Sequence, residues 1–285
     1  MSMAPLRLLL FASCASILLA PDAAIAEGLL DEVRRAARTR DSSHDDDDDD
    51  GHQWNWDCED DEEDDGWGEL FYAPIRFTVS APYWLPHFAL EDNWSTWPEF
   101  PAGPYADGTP GYLVIDSQAE GPTAGWSLRE TFLYGTDFGD LSWSGTRIVL
   151  DTASRFGFDT SWNRWVEQRP GRDDSLMTGD FNVVVRFAQS EQLQFHSGLG
   201  VNWLADHGSG EAGFNFTYGF DWFPQRPWVV SASLDAGTLG HASFYHGQFS
   251  VGAVWRRVEL FTGYDATWIG GATLDGVIGG VRFWF

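Results

Sequence analysis

The sequence predicts an all-β fold: an antiparallel up-and-down transmembrane β-barrel of about ten strands, with eight to twelve as the range, behind a disordered acidic N-terminal segment. Three observations predict it. Apolar and polar residues alternate with period two through the C-terminal half of the 285-residue chain. No later stretch approaches the roughly 20 continuous apolar residues of a membrane helix. Short and long connections alternate between the predicted strands, as in outer-membrane barrels.

The alternation is clearest in residues 211–223, where one face holds only large apolar residues or alanine. That face is Ala212, Phe214, Phe216, Tyr218, Phe220 and Trp222. Each segment is about as long as a tilted transmembrane strand requires. Ten segments are predicted, of which the first two alternate less cleanly: 125–135, 140–151, 154–166, 176–188, 191–204, 211–223, 227–236, 242–255, 257–267 and 273–285.

The connections divide into two groups that alternate along the chain. Tight turns, assigned to the periplasmic side, are predicted at Thr152-Ala153, Gln189-Ser190, Pro224 to Arg226, and Arg256. Longer outer loops rich in glycine or charge are predicted at Gly135 to Asp140, Glu167 to Ser175, Ala205 to Gly210, Gly237 to His241, and Trp268 to Ala272.

Residues 1–26 have the features of a secretory signal peptide. Arg7 is followed by the apolar run Leu8 to Ala20, and Ala24-Ile25-Ala26 fits a small-x-small cleavage site. A buried apolar helix and a lipoprotein signal ending at Cys14 are the alternatives. Cleavage after Ala26 leaves Cys58 as the single cysteine of the mature chain, which excludes an internal disulfide.

Residues 27–68 are predicted to be an acidic, low-complexity segment. The whole chain carries 17 basic and 43 acidic side chains, a formal net charge of −26, so nucleic acid is excluded as a partner. Fourteen acidic residues lie between Asp45 and Asp65. Such density favours disorder, after a short amphipathic helix within Glu27 to Arg40. A weak Ca²⁺ site is the alternative, with candidate ligands Asp45, Asp46, Asp47, Asp48, Asp49 and Asp50.

Residues 69–123 are predicted to be irregular, although Leu70 to Ser80 resembles a strand. Prolines recur among aromatic residues and exclude long helices and central strands. The segment is expected to lie against the periplasmic end of the barrel or to plug it partly. The remaining residues, 124–285, are the predicted barrel.

The chain ends in a strand whose alternate residues are Val277, Gly279, Val281, Phe283 and Phe285. Joined to a signal peptide, this ending resembles the C-terminal signature of bacterial outer-membrane β-barrel proteins. The resemblance covers residues 125–285 and indicates an architecture, not an activity. It implies a bacterial outer-membrane location, the lipid bilayer and the barrel-insertion machinery as partners, and a periplasmic N-terminal segment.

Polar residues on the other face of the strands are candidates for lining the lumen. They either fill a narrow barrel as a satisfied polar network or border a narrow solute path. The candidates are Arg155, Asp159, Asp180, Arg186, His196, Asn202, Asn215, Asp221, Asp235, His246, Gln248, Glu259, Asp265 and Arg282.

The function predicted from these features is a structural role in the envelope without catalysis or cofactor, and the oligomeric state stays open. The alternatives are a narrow, porin-like channel, a barrel hydrolase at the outer rim, and a secreted soluble β-sandwich. The hydrolase alternative comes from two comparisons. The omptin proteases, similar in their ten strands, have acidic and His–Asp pairs near the outer rim, and here Asp206-His207 and His241 lie in or beside outer loops. Acyl-chain enzymes on barrels use Ser and His together, and Ser209 is near His207 in sequence. The sequence contains no phosphate loop, zinc-type spacing or dinucleotide fingerprint.

Overall fold

The computed structural model describes residues 28–39, 81–115, 121–171, 173–206 and 208–285. The predicted signal peptide, the acidic run from Asp45 to Asp65 and the predicted strand Leu70 to Ser80 lie outside these residues. The Ca²⁺ candidates Asp45 to Asp50 and the hydrolase candidate His207 lie outside them as well.

Ten antiparallel strands form a closed barrel in which strand order follows the chain. In chain order the described elements are α1 (Leu29–Arg38), α2 (81–89), β1 (Phe100–Pro101), β2 (Thr123–Ala124), β3 (Trp126–Thr136), β4 (Leu141–Thr152), β5 (Phe156–Glu167), β6 (Asp174–Gln189), β7 (Leu193–Asp206), β8 (Ser209–Gln225), β9 (Trp228–Leu239), β10 (Ala242–Trp255), β11 (Val258–Ile269) and β12 (Ala272–Trp284).

The barrel closes where β12 pairs with β3, from Val277 opposite Thr136 to Trp284 opposite Arg129. Closure leaves no strand edge unpaired, which is the condition for placing a sheet in lipid. Each of the ten predicted segments overlaps one observed strand, so the predicted barrel of about ten strands is confirmed. The two-sheet sandwich alternative is wrong, because all ten strands belong to one closed sheet.

The alternating pattern places apolar residues outside and polar residues inside. On β8 the outward Phe214 is 53% exposed, whereas the inward Asn215 is 0% exposed. This arrangement is the reverse of a soluble barrel, whose apolar side chains fill the interior. The fold therefore presents its apolar surface to the surroundings.

The predicted alternation of short and long connections is only partly correct. The connections 137–140 and 168–173 are longer than the turns at the opposite end, but only Gly240 and His241 separate β9 from β10. The prediction failed there because Leu239 and Ile269 continue their strands into a buried apolar cluster. Gly240 and Gly270 adopt φ near +60°, which permits the resulting tight turns.

Helix α1 covers one end of the barrel, which we call the α1 end and define by the connections 137–140, 168–173, 207–208, 240–241 and 270–271. Leu30, Val33 and Ala37 are fully buried there. A short helix was predicted within Glu27 to Arg40, and α1 confirms it. The prediction of disorder for all of residues 27–68 is wrong for Leu29–Arg38, because the apolar face of α1 is buried.

Residues 81–115 lie against the opposite end, which we call the C-terminal end because β12 finishes there. Their only regular elements are α2, β1 and a 3-10 turn at Ala106–Gly108. Phe100, Tyr112 and Leu113 are buried against inward residues such as Phe223 and Trp284. The irregular segment therefore covers this mouth of the barrel.

Among the described residues, none of the helices has both the length and the apolar character needed to span a membrane.

Candidate functional site: the polar interior and its two covers

The middle of the barrel is a polar layer between two apolar clusters. At the α1 end, Trp143 and Trp165 lie with ring centroids 4.8 Å apart and contact the cluster that includes Leu30 and Val33. At the C-terminal end, Tyr112 contacts Trp284 at 4.6 Å between ring centroids. Between these clusters a cavity of about 40 Å³ remains, which we call the central cavity. It has room for ordered water but not for an organic solute.

One wall of the central cavity is an arginine–carboxylate network. Arg147 donates through Nε to Asp159 Oδ1 at 2.8 Å, and a second guanidinium nitrogen pairs with the other oxygen of that carboxylate. Arg147 Nη1 also donates to Ser233 Oγ at 3.3 Å. The neighbouring carboxylate of Asp180 accepts from Asn182 Nδ2 at 2.8 Å and from the Ser161 hydroxyl. The charged groups of this wall are therefore hydrogen-bonded to their neighbours within the wall.

On another wall, His246 lies between two carboxylates. Its Nδ1 is 2.7 Å from Asp235 Oδ2 and its Nε2 is 3.0 Å from Asp265 Oδ2. Gln248 Nε2 donates to the same Asp265 oxygen at 2.9 Å. A histidine held on both nitrogens has neither nitrogen directed at the central cavity as an unpaired base. The arrangement therefore favours a structural role over general-base chemistry.

Two further ion pairs lie toward the C-terminal end. Arg282 donates to Glu259 Oε1 at 2.7 Å and to Ser250 Oγ at 2.7 Å. Arg129 donates to Asp221 Oδ1 at 2.9 Å. The charged residues of the barrel interior thus form close arginine–carboxylate pairs. Such pairing is what makes buried charges tolerable in a protein interior.

The structure places the sequence candidates in three groups. The first group lines the central cavity: Asp159, Asp180, His196, Asp221, Asp235, His246, Gln248, Asp265 and Arg282. The second group is buried elsewhere on the inward face of the strands: Arg186, Asn202, Asn215 and Glu259. The third is Arg155, which lies at the turn after β4 and binds Asp92 of the irregular segment at 2.6 Å.

Sequence reasoning missed Arg129 and Arg147, which both line the central cavity. They belong to β3 and β4, the two strands with the least regular alternation. In β4, Arg147 precedes the apolar run Ile148-Val149-Leu150, which obscures the period of two. The available signal was spacing: Arg147 lies two residues after inward Gly145 and two before inward Val149.

At the α1 end, charged residues attach α1 to the barrel rim. Arg34 donates to Asp174 Oδ2 at 2.5 Å and to Asp206 Oδ2 at 2.8 Å. The first backbone N–H groups of α1, at Leu29 and Leu30, donate to the Glu167 carboxylate at 2.8 and 3.2 Å. A carboxylate at a helix N-terminus satisfies groups that the helix leaves unpaired.

Two pKa shifts follow from this attachment. The hydrogen bond from Arg169 holds the pKa of the Asp31 carboxyl below its ordinary value, with a further contribution from Arg34. The hydrogen bond to Asp174, followed by that to Asp206, raises the pKa of Arg34 above its ordinary value. The ion pairs Asp31–Arg169 and Arg34–Asp174 are therefore charged at neutral pH.

The residues proposed for a hydrolase are engaged by α1. Asp206 is paired with Arg34, and the Ser209 hydroxyl accepts a hydrogen bond from Arg38. The backbone N–H of His241 donates to Ala37 O at 2.9 Å. These contacts pair the Asp206 carboxylate with arginine, while His207 lies outside the described residues.

Within the described ranges, no group of three or more His, Cys, Asp or Glu side chains is placed to hold a metal ion. No protein-family model matches the chain, and no curated protein matches it. The fold and the interior therefore carry the functional argument.

Proposed function

We propose that this chain is an outer-membrane β-barrel protein, closed at rest, with a structural role in the envelope and without catalysis. The observation that carries this proposal is a band of exposed apolar side chains on the outward face of the closed barrel. Contiguous apolar surface of this extent marks a surface that meets lipid or protein rather than water. The exposed members of the band include Phe132, Phe158, Phe181, Val183, Leu199, Val201, Phe214, Leu234, Phe249 and Leu260.

Tryptophans at the C-terminal end support a membrane boundary there. Trp126, Trp228 and Trp255 are 54%, 47% and 69% exposed and stand at the ends of their strands. Tryptophan favours the headgroup region, where its ring is apolar and its N–H can reach water. At the other end of the barrel, Trp203 and Trp268 are half-buried near the rim.

Helix α2 also fits an interfacial position. It lies on the outward face of the barrel, where the Tyr83 ring contacts Phe187 at 5.2 Å and Tyr218 at 6.0 Å between centroids. Its other side exposes Trp84 and Phe88. An exposed aromatic face beside a barrel is expected to bury itself at the lipid boundary.

Resistance to extraction tests membrane insertion. We expect the protein to remain in the membrane pellet after alkaline carbonate and to migrate faster in electrophoresis before boiling than after. Release into the supernatant by carbonate would contradict the proposal and would favour a peripheral protein whose apolar band binds another protein.

The position of α1 bears on topology. If the barrel spans a membrane, α1 and residues 92–115 lie on opposite sides, because they cover opposite ends. Only residues 40–44 separate Thr39 from Asp45, and these span at most about 21 Å. The apolar band of such a barrel is about 25 Å tall. We therefore propose that the acidic run shares a compartment with α1, since crossing the band would place its charges in hydrocarbon.

We accordingly propose that α1 and the acidic run lie on the outer side of the membrane, and that residues 92–115 and the C-terminus face the periplasm. Sequence alone favoured a periplasmic position for the whole N-terminal segment. Cys58, within the acidic run, is a native probe of the difference. In intact cells we expect Cys58 to react with a maleimide that is attached to a polymer too large to pass through porins.

The matched control places a cysteine at the other end. Ser154 is exposed in the turn after β4, at the C-terminal end. Ser154→Cys in a Cys58→Ser background should be labelled only after the outer membrane is permeabilised. Labelling of Cys58 only after permeabilisation would show that α1 does not cover the outer mouth in the inserted protein.

A narrow channel is the second candidate, because the central cavity is lined by charged groups. Conduction would require both apolar clusters to open. Removing α1 alone leaves Trp143 and Trp165 in the mouth, so we expect a deletion of residues 27–39 to remain silent or to conduct only in brief steps. Stable conductance in the full mature chain would favour the channel.

A further inference from the structure

Three arginines without an ion pair to any described residue lie together at the C-terminal end. Arg226 lies in the turn between β8 and β9, and Arg256 and Arg257 form the turn between β10 and β11. By contrast, Arg34, Arg155 and Arg282 are paired with carboxylates. All three are exposed, so an anion that reaches this end of the barrel can contact them.

The three arginines border one cavity of about 290 Å³. Its opposite side is the loop Ala102 to Asp107 of the irregular segment. Asp107 is the acidic residue in this lining and is exposed, so three positive side chains face one negative side chain. The cavity is open to solvent.

The loop that borders this cavity is held in an uncommon conformation. Tyr105 and Asp107 are non-glycine residues with φ of 61° and 51°, in the left-handed region. Tyr105 Oη donates to Trp228 O at 2.5 Å, which attaches the loop to β9. A Cβ on Gly103 would lie 3.1 Å from Arg256 O, so the absence of a side chain permits the close approach. Local strain of this kind is often found where a loop shapes a binding site.

The position of the cluster relative to the tryptophans identifies the source of the anion. Arg226 lies two residues before Trp228, and Arg256 directly follows Trp255 and stacks on its ring at 5.1 Å. Trp228 and Trp255 are exposed on the outward face. If these rings lie at the lipid boundary, the arginines lie in the layer of headgroup phosphates. Arginine binds phosphate through a planar fork of N–H donors.

We propose that Arg226, Arg256 and Arg257 form a binding site for the phosphate of a lipid headgroup in the leaflet at the C-terminal end. This inference rests on the proposed membrane insertion and adds a lipid ligand to it. The site favours anionic phospholipids over zwitterionic ones, since the excess positive charge attracts a net negative headgroup.

Native mass spectrometry of the full mature chain in detergent, titrated with phosphatidylglycerol, tests the proposal. Each arginine near an anionic lipid surface contributes about fivefold in affinity, so we expect Arg256→Gln to weaken lipid retention about fivefold. The triple replacement by glutamine should abolish retention at the concentrations where the unaltered chain is occupied. The control is Arg164→Gln on β5, which removes an arginine near the α1 end.

The site would be overturned if the triple variant retained as much lipid as the unaltered chain. It would also be overturned if Arg164→Gln lost as much lipid as Arg256→Gln does, or if inorganic phosphate at an equal concentration displaced the lipid. The last would indicate a site for soluble anions. Faster electrophoretic migration before boiling than after it shows that each variant is folded. If the triple variant does not fold, the single variants test the site.

Carbonate extraction of the same proteins separates the two proposals. A chain that resists extraction but retains lipid without the arginines contradicts only the lipid site. A chain that carbonate releases contradicts the proposed function itself, whatever the mass spectra show.

Discussion

The two ends of the barrel are closed by different means. At the α1 end a ten-residue helix contributes small apolar side chains and is fastened by ion pairs at the rim. At the C-terminal end an irregular segment inserts large aromatic side chains, and a buried ion pair joins its Asp92 to Arg155. Burial of aromatic surface is insensitive to salt and pH, whereas partly exposed ion pairs respond to both. Helix α1 is therefore the more readily released cover.

The largest effect is expected from removing an aromatic anchor at the C-terminal end. Tyr112 is 2% exposed and contacts Phe100, Phe223 and Trp284. Tyr112→Ala should lower the free energy of unfolding by about 3–5 kcal/mol, as for other large aromatic truncations. Urea unfolding in detergent measures this change. Trp97→Ala is the control, because Trp97 is 70% exposed and its loss should change little.

A smaller effect is expected at the α1 end from Leu30→Ala. Leu30 is fully buried in the apolar cluster of that mouth. The change should weaken docking of α1 by about 2–4 kcal/mol. Hydrogen exchange of the α1 amides, measured by mass spectrometry, reports this as faster exchange in α1 with the barrel strands unchanged. Equal acceleration in the strands would mean that α1 and the barrel unfold as one unit, contrary to the comparison.

Arg34→Ala should accelerate hydrogen exchange of the α1 amides less than Leu30→Ala does. It leaves the partly buried carboxylates of Asp174 and Asp206 without this donor, at a cost of about 1–3 kcal/mol. High salt should reduce the difference between this variant and the unaltered chain, because ions screen the pairs. Arg38→Ala is the paired control, since Arg38 is more exposed and its contact with Asp206 is longer, at 3.5 Å. If Arg38→Ala accelerated exchange of the α1 amides more than Arg34→Ala, then Arg38 rather than Arg34 would be the main attachment of α1.

The smallest effect concerns pH. The pKa of Asp31 is lowered in the folded state, first by its hydrogen bond with Arg169. Its contribution to docking is therefore complete above its ordinary pKa and is lost as pH falls through the lowered value. We expect α1 exchange, corrected for intrinsic rates, to be constant from neutral pH to about pH 5 and to accelerate only below about pH 4. Release of α1 near pH 6 would require a different titrating group.

The strands were the most predictable part of the molecule, because the period of two is repeated ten times and needs no long-range information. The inward carboxylates followed from the same pattern. Their pairing did not: nothing in the sequence joins Arg129 to Asp221, which belong to β3 and β8 and meet only across the lumen. The contact of Arg34 with Asp174 and Asp206 was equally hidden, because α1 and its partners are far apart in the chain.

The loops were predicted less well for a physical reason. Glycine and polar residues near strand ends indicate turns, but the extent of pairing depends on what the inward side chains contact. Leu239, Ile269 and Ala272 extend their strands because α1 provides an apolar partner above them. That partner precedes the barrel by nearly ninety residues, so local composition cannot reveal it.

The most direct test of the closed outer-membrane barrel is single-channel recording of the refolded full mature chain in a planar bilayer, with insertion verified on the same sample. The two apolar clusters and the filled lumen predict no conductance steps. Removal of residues 27–115 takes away both covers but leaves Trp143 and Trp165 in the mouth at the α1 end, so it should produce at most brief steps. Steady steps from the full mature chain would contradict the account, because they require a continuous aqueous path through both covered ends.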